Sequence, residues 1–126
     1  MRAVARTIEL EPRPASASQA RKAVKRALRN VDPALRDVGV LLTSELVTNA
    51  LLYARGSISL RIDETDGGYR ISVGDAAPSP VEPRQVGLEA TSGRGLTLVD
   101  RLSGSWGVDV HEPEGKEVWF EVPRAT

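Results

Sequence analysis

The chain has no cysteine, which excludes disulfides, thiolate catalysis and zinc–thiolate sites and fits an intracellular setting. Its single histidine, His111, leaves no partner for a multi-histidine metal site and makes a Ser-His-Asp triad hard to build. In the polar run His111-Glu112-Pro113-Glu114-Gly115 it reads as a solvated turn residue. No stretch approaches the roughly 20 apolar residues of a membrane span, and Met1 to Arg6 lacks the apolar run of a signal peptide. Nor does one sign of charge prevail. The 17 basic and 17 acidic residues cancel, so no bulk field draws the chain to nucleic acid or to an anionic membrane. A soluble protein of the cytoplasm is the expectation.

What is present is an ordinary globular balance, 40% hydrophobic and 27% charged over 126 residues, enough for one domain spanning 1–126 with a core of its own. No repeat, low-complexity tract or linker divides it. The organising stretch runs from Leu41 to Ala54. It reads as a helix, opened upstream by Asp32-Pro33 and closed by Gly56. At about 100° per residue, Leu35, Val38, Leu42, Leu46, Leu52 and Tyr53 share one arc. Glu45 and Asn49 fall in the middle of it, one turn apart. Burying either unpaired costs roughly 1–3 kcal/mol or more. Two readings are open: a structural polar pair satisfied within the fold, or two groups facing a cleft where something polar binds.

Around this helix the chain alternates between strand and helix patterns. Residues 3 to 10 suggest an opening edge strand, broken at Glu11-Pro12-Arg13-Pro14. Ser16 and Gln19 suggest a capping box for a helix running to about Asn30. That helix has Val24, Ala27, Leu28 and Val31 on one side and Arg21, Lys22, Lys25, Arg26 and Arg29 on the other. The basic side is a solvated face or a docking face for an acidic protein. Ser57 to Asp63 alternates as a strand, Glu64 to Gly68 is a hairpin turn, and the returning strand aligns Tyr69, Ile71, Val73 and Asp75. Residues 76 to 92 hold three prolines and no period, as expected of a lid or binding loop. Gly93-Arg94-Gly95-Leu96 then opens a helix with Leu96, Val99 and Leu102 inside, where free backbone N–H groups could receive a phosphate. Trp106, Val108 and Val110 pair with Val118, Phe120 and Val122 in a closing hairpin, joined across Gly115-Lys116. The order implies an α+β two-layer sandwich, a mixed and mainly antiparallel sheet covered on one face by helices.

With these pieces, residues 3 to 122 resemble the GHKL (Bergerat-fold) ATP-binding domains, and within them the anti-sigma-factor serine/threonine kinases of the stand-alone actinobacterial type. Ser44-Glu45-Leu46-Val47-Thr48-Asn49-Ala50 looks like the N box of that family. Asp75 falls at the aspartate of the next box, Thr91 to Leu96 looks like the glycine box, and Gly115 to Phe120 looks like the closing hairpin. The resemblance implies ATP and Mg²⁺ as ligands. Asn49 would offer its side-chain oxygen to the metal. Glu45, one turn earlier, would act catalytically, as general base on the attacking hydroxyl or by orienting it. Asp75 would accept from the adenine amino group. The backbone of Gly93, Arg94, Gly95 and Leu96 would hold phosphates, with Arg94 and Lys116 adding charge. The implied partners are a sigma factor or an anti-anti-sigma (STAS-type) protein whose serine is phosphorylated, with a homodimer possible and no direct contact to nucleic acid or membrane.

One departure sets up an alternative. The family pattern Asp-x-Gly-x-Gly stands here as Asp75-Ala76-Ala77-Pro78-Ser79, without either glycine. Pro78 removes an N–H and fixes φ, and Ala77 adds a methyl group. A non-catalytic module that binds a sigma factor or its antagonist is therefore carried beside the kinase. A plain ATP hydrolase stands third, since no transducer domain accompanies the chain.

Overall fold

The computed structural model describes residues 5–53, 58–75, 106–111 and 115–125. Seven elements follow in the order β1 (Ala5–Leu10), α1 (Ala15–Ala27), α2 (Pro33–Tyr53), β2 (Ile58–Glu64), β3 (Gly68–Asp75), β4 (Trp106–His111) and β5 (Gly115–Pro123). The strands form one open sheet in the order β1-β2-β3-β5-β4. All four pairings are antiparallel, so the expected mixture of strand directions is not found among the described strands. β1 lies at an edge, as its weak alternation suggested.

Strand period separates the sheet into two faces. Leu10, Ile58, Leu60, Ile62, Ile71, Val73, Val118, Phe120 and Val122 are buried on the face that α2 covers. α1 packs outside α2 through Ala17, Ala20 and Val24, and Leu28 just beyond its end closes the same core. The other face carries the alternate residues, such as Arg61, Arg70, Trp119 and Glu121, and no described helix covers it.

The start of α1 departs from the expected capping box. Pro14 is already helical at φ −55° and ψ −34°, and no side chain caps the helix. Ser16 therefore lies inside the first turn, and its hydroxyl donates to the Glu11 carbonyl at 2.6 Å. Proline, with its preset φ, starts the helix two residues before the serine. α2 begins as expected: Arg36 N–H donates to the Asp32 carbonyl at 2.8 Å, with Pro33 as the first helical residue. Gly56, the expected stop, lies outside the described residues. In the β2–β3 hairpin, Thr65 and Gly68 exchange backbone hydrogen bonds at 2.8 and 3.3 Å. Gly68 admits no side chain, because a Cβ there would stand 2.0 Å from the Val122 carbonyl oxygen.

Candidate functional site

The buried stripe of α2 runs through Leu35, Val38, Gly39, Leu42, Thr43, Leu46, Val47 and Ala50. These positions are three or four apart, as one helical face requires. The stripe is rotated from the expected leucine-centred arc, and Leu52 is 69% exposed. Close packing explains the rotation. A Cβ on Gly39 would meet Leu28 Cδ1 at 3.0 Å and Val122 Cγ2 at 3.3 Å, so small residues occupy the tightest part of the contact. Thr43 is tolerated there because its hydroxyl donates to the Gly39 carbonyl at 2.8 Å.

Glu45 and Asn49 consequently stand at the border of the stripe rather than at its middle. Both are half-buried, one turn apart on the same side of α2. Glu45 Oε2 is out of solvent contact. Next to it, Ser44 Oγ accepts a hydrogen bond at 3.0 Å from the Arg21 guanidinium of α1.

Asp75 ends β3 on the helix-covered face, with Ile58 opposite on one side and Lys116 on the other. The Lys116 ammonium donates to Asp75 Oδ1 at 3.0 Å, and these side chains are only 11% and 7% exposed. Lys116 was expected in a turn, but β5 already starts at Gly115, which has the left-handed φ of 121°. Gly115 takes the backbone conformation that an L side chain resists, leaving Lys116 free to pair as a strand residue. Its link to Asp75 was missed, although a signal existed. The alternation of Val118, Phe120 and Val122, extended back by two, puts Lys116 on the inner face. His111 closes β4 opposite Gly115.

The remaining expected site residues, Gly93, Arg94, Gly95 and Leu96, lie outside the described residues, as do residues 76–92, expected as a lid, and the stretch after Leu96, expected as a helix. A shallow groove on the far face of the sheet, lined by Arg61, Asp63, Arg70, Asp109 and Trp119 among others, stands apart from these groups. Its ion pairs, Arg61–Asp63 at 3.0 Å and Arg70–Glu121 at 3.1 Å, already satisfy much of its charge, so it is the solvated side of the sheet rather than the site.

The donor chemistry fits a magnesium–nucleotide. Carboxylate and amide oxygens suit a hard cation, and Mg²⁺ takes one or two protein ligands and completes its shell with phosphate and water.

A sheet roofed by helices, with polar groups on the roof helix and at a strand end on one face, is the arrangement of a GHKL-type, α+β ATP-binding domain. The family model for the histidine kinase-like ATPase domain matches residues 10–122, from the end of β1 almost to the end of β5, and the chain belongs to that family. Its domains bind ATP with Mg²⁺ and are kinase-like. No curated protein matches the chain. Among the described residues no helix is long and apolar enough to cross a membrane.

Proposed function

We propose that the domain is an ATP-dependent protein serine kinase that phosphorylates an anti-anti-sigma (STAS-type) protein and thereby regulates a sigma factor. The observation that supports it most is the half-buried Glu45 one turn before Asn49, with Asp75 ending a strand on the same face of the sheet. In this reading Glu45 accepts the proton of the partner's serine hydroxyl as that oxygen bonds to the γ-phosphorus. The bond from the γ-phosphorus to the bridging oxygen breaks, and ADP leaves. Bound Mg²⁺ supplies charge neutralisation at the phosphates, and Asn49 holds it through its amide oxygen. Asp75 accepts from the adenine amino group, with the Lys116 ammonium beside it as a donor for a ring nitrogen. The backbone of Gly93, Arg94, Gly95 and Leu96 is the proposed phosphate cradle.

The test combines labelled ATP, Mg²⁺ and the cognate antagonist. Label should move to one serine, and Glu45→Ala should lower the rate by about 10²–10⁴-fold while leaving ATP affinity within a few-fold. A stable complex that transfers no label would overturn the kinase.

The second reading is a non-catalytic module in which a sigma factor or its antagonist binds and the nucleotide is structural or absent. Two observations favour it: the Asp75 carboxylate already holds an ammonium at 3.0 Å, and Ala77 and Ser79 stand where glycines are expected. Calorimetry with ATP and Mg²⁺ separates the two. Heat of binding that disappears in Asp75→Asn supports the nucleotide site, and a silent titration supports the module.

A further inference from the structure

We propose that the exposed face of α1 is a docking surface for an acidic, carboxylate-bearing segment of a partner protein, held beside Glu45. As a placement of the partner, this rests on the kinase reading above; as a binding surface, it stands on charge alone. Between Pro12 and Val31 the chain has six arginines and lysines and no aspartate or glutamate, which leaves the rest of a neutral chain at −6. Five of the six, Arg21, Lys22, Lys25, Arg26 and Arg29, are exposed, and none is ion-paired to a described carboxylate. Their bonds go to neutral acceptors, Ser44 Oγ for Arg21 and the Arg26 carbonyl for Arg29.

The spacing makes this unfavourable within the free protein. Arg21 with Lys25 and Lys22 with Arg26 stand at i, i+4 on α1, so like charges face each other on neighbouring turns, and Arg29 follows just beyond the helix end. Lys25 and Arg26 in the last turn gain from the helix dipole, but Arg21 and Lys22 in mid-helix do not. An acidic partner removes that repulsion.

The same stretch argues against other polyanions. It has no aromatic residue on which a base could stack. Ala20, Val24 and Leu28 are fully buried in the core, so α1 has no apolar side to insert into a lipid surface. On α1 the patch is short, about 8 Å from Arg21 to Arg26 at 1.5 Å per residue. That length matches a protein segment, and a longer polyanion would run onto the acidic remainder of the chain. Arg21 ties one end of the patch to Ser44, next to Glu45, so a segment docked on α1 comes to lie beside the proposed base.

Binding of a fluorescent oligo-glutamate peptide to the full chain, followed by anisotropy at low ionic strength, tests the surface. Arg26→Glu and Arg6→Glu change net charge equally, and Arg6 is an exposed cation on β1. Arg26→Glu should weaken binding several-fold and Lys22→Glu/Arg26→Glu about tenfold or more, while Arg6→Glu stays within about twofold. The milder Lys22→Gln/Arg26→Gln should fall between. Equal weakening by Arg26→Glu and Arg6→Glu would overturn the docking surface. So would a DNA duplex or a phosphatidylserine vesicle that binds the same residues more tightly than the peptide. ATP titration of these variants should match the parent, and its failure in the parent would count against the kinase alone.

Discussion

β3 and β5 carry two directly opposed ion pairs on opposite faces of one ladder. Asp75–Lys116 lies under the helices with side chains 7% and 11% exposed, and Arg70–Glu121 lies on the open face at 38% and 39%. Residue types, strand partners and distances of 3.0 and 3.1 Å are nearly the same. What differs is water. On the open face solvent screens each charge, and the Arg70 guanidinium also lies 4.0 Å over the Trp119 ring. Under the helices water screens far less, so each charge relies more heavily on the protein groups around it. The worth of a short ion pair therefore depends on the face of the sheet it occupies.

Five single substitutions press on that contrast, from the largest expected effect to the smallest. Phe120→Ala removes the largest fully buried side chain among the described residues and should cost about 3–5 kcal/mol in urea unfolding. Lys116→Met leaves the Asp75 carboxylate without its ammonium and should cost about 3 kcal/mol, with much of the loss recovered in Lys116→Met/Asp75→Leu. Recovery in the double variant is the sharper measurement, because it separates loss of the ion pair from lost packing. Trp119→Ala, one residue from Phe120 but on the open face, should cost only about 1–2 kcal/mol. Its ring lies across Gly107, where a Cβ would stand 2.7 Å from Trp119 Cζ2, so Gly107→Ala should reproduce part of the same loss. Arg70→Ala should cost under about 1 kcal/mol and become undetectable in high salt. If Lys116→Met proves as mild as Arg70→Ala, the inner pair is solvated and the contrast between the faces fails.

Much of this was legible before any coordinates. The alternation of Ile58, Leu60 and Ile62 and of Ile71 and Val73 set strands whose inner faces could only meet a helix. The Asp32-Pro33 start of α2 held, because proline at the first helical position is a local steric preference. Ser16 failed as a cap for an equally local reason, since Pro14 had already begun the helix. The border position of Glu45 and Asn49 was less accessible. Equal-weight leucines on a helical wheel cannot reveal that Gly39, Thr43 and Ala50 take the buried side, because that choice depends on how closely α1 and β5 approach. Lys116 shows the same limit. Its pairing with Asp75 spans 41 residues and exists only once β5 lies beside β3.

Residue order by itself determined the kinds of element, the polar pair one turn apart on α2, the aspartate at a strand end and the basic side of α1, because each follows from backbone sterics and period over a few residues. Strand order, the rotation of α2 and the closure of an ammonium onto Asp75 were decided only in the folded chain. They arise where distant segments compete for the same small volume, and no local preference measures that competition.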